Sequence, residues 1–243
     1  MDKLDKVFFS SSQRSNQKEI MDSVDFSGAE MKDLLKDIQF VNKWLGGDSI
    51  TFKGLDRLLR DSGLKEIKLL DIGCGDGNTL RKCTDYLKKK ETSVTGIGVD
   101  FNPNILNTAV EKSKAYKNLK FLHLDVLKDS GQIPTADVAI FSLFLHHLKN
   151  DDIEHILNQT FYKTNMGIIV NDLQRSRVAF MLFKLFSFLF LKTRTAAYDG
   201  LVSVSRGFKK NELVEISRKI KNHKSWIKWQ WAFRFLWIIQ KKP

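Results

Sequence analysis

Three aspartates and three glycines in the first half of the chain have the types and spacing to bind a polar cofactor. Residues 67–77, IKLLDIGCGDG, run from apolar side chains through Asp71 into glycines at 73, 75 and 77. An apolar run that stops at glycines reads as a buried strand feeding a tight turn into a helix. A turn without Cβ atoms lets backbone N–H groups come close to a ligand. The spacing separates ligand classes. Dinucleotide sites use G-x-G-x-x-G and the phosphate loop of nucleotide hydrolases ends in G-K-S/T, and neither is present. Asp100 and Asp125 close two later apolar runs. A carboxylate at such a strand end accepts from a ligand's hydroxyl or amino group, or else caps the next helix.

A second group of candidates lies at FSLFLHHLKNDD. A histidine near its ordinary pKa can deprotonate a phenol or similar hydroxyl, and of the pair His146 is the favoured base. The structural alternative is that one or both histidines support the loop or cap the following helix. Oxygen ligands for a hard cation are incomplete here: one strand ends in Asn171-Asp172, but the strand before it ends in Phe141-Ser142. No metal is expected.

These residues need a scaffold, and the hydrophobic periodicity supplies one. Met31, Leu34, Leu35, Ile38, Val41 and Leu45 repeat at helical spacing until Gly46-Gly47, and a second helix is expected over roughly 50–62. From residue 67 strands and helices alternate: KLLDIG, SVTGIGVD, LKFLHLD, ADVAIFS and MGIIVND read as strands. Helices are expected over about 77–90, from Pro103, and at DDIEHILNQTF. Repeated β-α units imply a parallel sheet with helices on both faces. A helix near 209–221 precedes WIKWQWA and FRFLWIIQ, a closing antiparallel pair.

The D-x-G-x-G-x-G turn, with GVDFNPN after the second strand, resembles motif I and its partner in the class I S-adenosylmethionine (SAM)-dependent methyltransferases. That resemblance implies an α/β, Rossmann-like, seven-stranded and mostly parallel sheet with an antiparallel C-terminal strand. It implies SAM bound by Asp71, Gly73, Cys74, Gly75, Asp100, Phe101, Asn102, Asp125, Val126 and Ser142. In this reading the glycine turn holds the methionyl part, Asp100 the ribose hydroxyls and Asp125 the adenine amino group. Cys74 is read as a small spacer. One domain, 1–243, is expected: an N-terminal helical cap 1–65, a SAM-binding core 66–172, an insert 173–208, and a C-terminal helix and hairpin 209–243.

The insert departs most from a minimal domain of this kind. Its segment 178–191, VAFMLFKLFSFLFL, has only Lys184 and Ser187 as polar residues. A helix so apolar is usually buried all round. The alternatives are a wall for a greasy or aromatic acceptor and shallow contact with a membrane surface. The order NDLQRSR, apolar helix, YDG, SVSRGF, together with EIMD and NKWLGGDSI, resembles a bacterial small-molecule subgroup often associated with polyketide or aromatic-lipid pathways. It implies His147, Asp172, Arg175, Tyr198, Asp199 and Arg206 around the acceptor. The residue types alone equally allow structural ion pairs Asp172–Arg175 or Asp199–Arg206.

Composition narrows the partners. The 243 residues carry a net charge of +12, spread along the chain without a basic block, and only two cysteines, Cys74 and Cys83. No disulfide framework or metal cluster follows from them, and a reducing cytoplasm is the expected location, with contact at the inner membrane surface as a further expectation. The N-terminal MDKLDKVFFSSSQRSNQ lacks the apolar stretch of a signal peptide. The motif with which amino-methylating DNA enzymes follow the fourth strand is missing, so DNA is not expected as substrate. The leading expectation is methyl transfer to a hydrophobic small molecule, an aromatic or polyketide-derived hydroxyl, with oxygen favoured over carbon. The alternatives are an RNA methyltransferase using the tail aromatics Trp226, Trp229, Trp231 and Trp237, and a SAM-binding partner protein without turnover.

Overall fold

The computed structural model describes residues 4, 7–23, 25–60 and 62–242. The ends of the expected 1–243 span and residue 61 of the expected second helix lie outside them. Seven strands form one sheet: β1 (Glu66–Ile72), β2 (Ser93–Asp100), β3 (Leu119–His123), β4 (Ala136–Ser142), β5 (Thr164–Leu173), β6 (His223–Gln230) and β7 (Arg234–Lys241). Their order is β3-β2-β1-β4-β5-β7-β6. The first five run parallel, and β7 pairs antiparallel with both β5 and β6. Strand order reverses beside β1, so the connections leaving β1 and β4 run to opposite faces of the sheet and leave a crevice at the carboxyl ends.

Alternation within the strands builds two cores. Leu69, Val138, Ile140, Ile169, Leu236 and Ile238 face α2 (Gly47–Leu59) and α3 (Asn78–Lys88). Leu70, Phe141, Ile168, Val170 and Trp237 face α5 (Asn150–Lys163) and α8 (Lys210–Arg218). Both faces of the central strands are covered, which is why they read as continuous apolar runs. Between β2 and β3 lies α4 (Pro103–Lys112), its N-cap Asn102 accepting from the amides of Asn104 and Ile105.

A third cluster forms the cap. Phe26, Met31, Leu34 and Leu35 from α1 (Gly28–Trp44) and the turn before it meet Ile105 and Ala196. Asp37 on α1 accepts from the amides of Lys192 and Thr193, tying α1 to the corner between α6 (Arg177–Phe190) and α7 (Arg194–Arg206). Gly200 permits close packing there: a Cβ on it would stand 2.2 Å from the Phe183 ring.

Helix α6 differs from the expectation of burial all round. Ala179 and Ser187 are buried, whereas Val178, Met181, Leu182, Leu185, Phe188 and Leu189 are more than half exposed, Phe188 at 85%. The reason is packing geometry: α7, Phe40 of α1 and Phe9 cover one side of α6, and among the described residues these six side chains stay largely uncovered. Ser187 turns inward and donates to Lys184 O, while Lys184 is exposed, so the two do not share one polar stripe.

Burial predicts a contrast in stability. Leu69→Ala, at a fully buried site, should cost ~2–5 kcal/mol. Leu185→Ala should stay within roughly 0.5 kcal/mol. Urea denaturation of the two variants checks the difference.

Candidate active site

The carboxyl ends of β1, β4 and β5, the cap helix α1 and helices α6 and α7 enclose a cavity of about 430 Å³. Gly73, Cys74, Gly75 and Asp76 of the glycine turn form one wall, and Ser142, His146 and His147 another. Leu34, Leu35 and Ile38 from α1, and Leu182, Phe183 and Phe186 from α6, make the rest largely apolar.

The glycine turn bends as its residue types require. Gly73, Gly75 and Gly77 all have positive φ, at 69°, 54° and 75°. Its amides do not point at a ligand as the sequence suggested. Gly73 and Cys74 donate to Val99 O, Gly75 donates to Asp100 Oδ2 at 2.9 Å, and Gly77 donates to Cys74 O. The turn is thus locked onto β2, and what it offers a ligand is space: a Cβ on Gly75 would meet nothing within 4 Å. Cys74 is buried and burial raises its thiol pKa, in line with a small spacer.

Asp100 accepts from the amides of Gly75 and Asn102 through its two oxygens, leaving each a second lone pair. Burial raises its pKa against those bonds. Phe101 beside it is exposed and Asn102 is buried as the α4 cap. Asp71 is also buried, with Oδ2 unpartnered; burial first, then Asp100 and Asp76, push its pKa to about 8. Asp125 is held within its own turn. Its Oδ1 accepts from the Leu127 and Lys128 amides and its Oδ2 pairs with Lys128 Nζ at 3.0 Å. Of the expected cofactor residues Gly73, Cys74, Gly75 and Ser142 line the cavity, whereas Asp71, Asp100, Phe101, Asn102, Asp125 and buried Val126 do not.

On the opposite wall, charged groups collect around His146, which is 2% exposed. Its Nδ1 lies 2.7 Å from Asp172 Oδ1, and its Nε2 3.5 Å from Glu19 Oε1. Burial opposes a proton on this ring, but Asp172 and then Glu19 outweigh it and raise the pKa to about 9. His146 is therefore not a histidine near its ordinary pKa, a correction to the expectation above. His147 places Nδ1 2.8 Å from Asp22 Oδ1 and Nε2 3.8 Å from Glu19 Oε2.

Glu19 and Asp22 entered the sequence reading only within the segment EIMD, with no role of their own, because they sit in a polar, turn-prone stretch with no periodic pattern. Asp199 fixes them: its Oδ1 accepts from Ile20 N at 2.7 Å and its Oδ2 from Met21 N at 3.1 Å. Burial, together with the charges of Glu19 and Asp22, raises Asp199 to about pKa 7. Arg206 donates to the carbonyls of Gln17, His146 and His147, and Arg14 to those of His146, Leu148 and Arg206.

Neither ion pair anticipated from the sequence forms. Asp172 pairs with His146 behind the cavity wall, and Arg175 forms a forked pair with Glu212, at 2.6 and 3.0 Å, away from the cavity. Tyr198 and Arg206 do not line it either, so of the expected acceptor residues His147 and Asp199 reach the wall. Arg234 does reach it unexpectedly. It is 2% exposed, donates to Asn42 Oδ1, and keeps Nε and Nη1 without partners. Its position at the start of β7 gave no signal beyond a lone charge in an apolar strand.

Removing the Asp199 clamp isolates its role. Asp199→Ala should speed amide hydrogen exchange at Ile20 and Met21 by tenfold or more, on the order of the ~1.5–3 kcal/mol of a charged hydrogen bond. Exchange mass spectrometry resolved to those residues checks it.

Comparison with known proteins agrees with the architecture. Residues 70–163 match the family model described as a methyltransferase domain. No curated protein sequence matches the chain significantly. Among solved structures, the plantazolicin methyltransferase BpumL with SAH shares 14% identity at TM-score 0.65, over 88% of this chain and 95% of that one. Magnesium protoporphyrin IX methyltransferase from Synechocystis PCC 6803 with SAH shares 14% at TM-score 0.57, over 84% and 87%. Human N-acetylserotonin methyltransferase with SAM shares 16% at TM-score 0.60, over 88% and 57%. The sheet order, the glycine turn at the end of β1 and these likenesses together give the chain the Rossmann-like fold of the class I SAM-dependent methyltransferases.

Proposed function

We propose that the protein transfers a methyl group from SAM to a hydroxyl of a hydrophobic small molecule. The observation that carries this reading is one cavity running from the glycine turn to the Glu19–His146–His147 cluster, with apolar walls between. SAM supplies an electrophilic methyl on a sulfonium. The protein's part is to hold donor and acceptor in line and exclude water, the main source of rate in such a transfer. Open space beside Gly75 and the spare lone pairs of Asp100 suit the methionyl and ribose parts of SAM. Phe183, Phe186 and Leu182 suit an aromatic or polyketide-derived acceptor, and the unpartnered donors of Arg234 suit a carbonyl or phenolate oxygen on it.

The glycine turn and Asp100 form the cofactor side of this proposal. His146 and His147, joined by Glu19, form the side that receives the hydroxyl; Asp172 orients His146, which with a pKa of about 9 holds a proton at neutral pH and so positions the acceptor oxygen as a donor. The bare apolar flank of α6, with exposed Arg177 and Lys192 at its ends, suits contact with an anionic bilayer, from which a greasy acceptor would be drawn. Among the described residues no helix is long and apolar enough to cross a membrane.

Labelled SAM incubated with purified protein and cell extract tests the assignment. Label is expected in the organic-solvent fraction, and label confined to RNA rejects the proposal. Asp100→Ala should weaken SAM binding by roughly tenfold or more, the loss of one charged hydrogen bond or two. His146→Ala should instead lower turnover while leaving SAM affinity nearly unchanged, and calorimetry beside the assay separates the two effects. Vesicles rich in phosphatidylglycerol should retain the native protein in flotation. The double variant Leu185→Ser, Phe188→Ser should lose that retention, and equal retention of both proteins rejects surface contact.

A further inference from the structure

Both histidines of the cluster are arranged alike. Each ring turns Nδ1 to a carboxylate, Asp172 for His146 at 2.7 Å and Asp22 for His147 at 2.8 Å. Each turns Nε2 to Glu19, at 3.5 Å from Oε1 and 3.8 Å from Oε2. The ring centroids are 4.2 Å apart. Among the described residues His146 Nε2 is a buried atom without a hydrogen-bond partner. One ligand atom from each of Glu19, His146 and His147 lies within 4.8 Å of the others.

These separations have a chemical meaning. Bonds of ~2.0–2.2 Å at a tetrahedral angle put neighbouring ligand atoms roughly 3.3–3.6 Å apart. The observed nitrogen–oxygen distances sit at and just beyond that span. An imidazole that ligates a metal commonly gives its other N–H to a carboxylate, which fixes the tautomer and raises basicity. That support is in place twice. Two imidazoles and one carboxylate suit zinc or ferrous iron, whereas magnesium and calcium favour oxygen ligands throughout.

We propose that Glu19, His146 and His147 bind one divalent transition-metal ion of the zinc or ferrous-iron type, backed by Asp172 and Asp22. The expectation of no metal rested on oxygen ligands at the ends of β4 and β5. It counted neither imidazole as a ligand, and Glu19 was invisible to it. All three ligands line the cavity, so the ion's open positions face the acceptor. Only its role rests on the methyltransferase reading: there the ion would hold an acceptor oxygen toward the donor methyl. Binding itself does not depend on that reading.

Cobalt titration of the chelator-stripped, full-length protein tests the site. One equivalent of Co²⁺ per chain should bind with the visible bands of a four- or five-coordinate ion, and Zn²⁺ should displace it. Glu19→Gln and His147→Gln should abolish this binding. Asp22→Asn should weaken it ~10–100-fold. His155→Ala, exposed on the outer face of α5 and away from the cavity, should leave it intact. Circular dichroism and thermal melting of each variant identify those that remain folded, and only these are compared; SAM calorimetry is run beside them on the native chain. Absence of saturable Co²⁺ binding in the native chain, or unchanged binding in both Glu19→Gln and His147→Gln, overturns the proposal. Metal binding without SAM binding would keep the site and reject methyl transfer, and SAM binding without metal would do the reverse.

Discussion

The contact between Asp172 and His146 is the constraint around which the candidate site is built. Asp172 ends a central strand and has no exposure, so its charge must be matched within the protein. His146 meets it from the loop after β4, and the loop amide of His146 also donates to Asp172 Oδ2. The ring's far nitrogen then faces Glu19, which brings the N-terminal segment over the carboxyl ends of β4 and β5. Asp199 on α7 holds that segment by two amides, and Arg206 on the same helix binds the carbonyls of the histidine loop. A strand end, a loop, the N-terminal turn and α7 are thus joined through buried polar groups, each needing the others as partners.

This arrangement gives the cavity two unlike ends. At β1 and β2 the glycine turn is tied down, the amides of Gly73, Cys74 and Gly75 taken by β2, and it offers room. At β4 and β5 the cluster is dense in charge and offers donors and acceptors. Between them the walls are aliphatic and aromatic side chains of α1 and α6, which exclude water without competing for a polar ligand. A reaction that joins a polar cofactor to a greasy acceptor needs that sequence of surfaces.

Most of the scaffold was legible in the sequence. β2 and β4 have the bounds that SVTGIGVD and ADVAIFS suggested, and in β4 the cause is burial on both faces, which leaves a nearly continuous apolar run. The hairpin was legible from alternation in WIKWQWA and FRFLWIIQ. Burial of α6 was misjudged, since apolar composition shows what a helix can bury and not what lies beside it. The site was legible where backbone conformation dictates residue type, as at Gly73, Gly75 and Gly77. It was illegible where the partner comes from far along the chain. Arg175 looks like a neighbour of Asp172 in sequence but reaches Glu212 instead, and Glu19 meets His146 only because the N-terminal segment folds back over the carboxyl ends of β4 and β5.

The central claim is that a single cavity presents the SAM methyl to the Glu19–His146–His147 cluster. A crystal structure of the complex with SAH tests it most directly. The account predicts the homocysteine part beside Gly73 and Gly75, the ribose on Asp100, and the sulfur facing the cluster across open space. A sulfur turned away from the cluster, or separated from it by protein atoms, would contradict it.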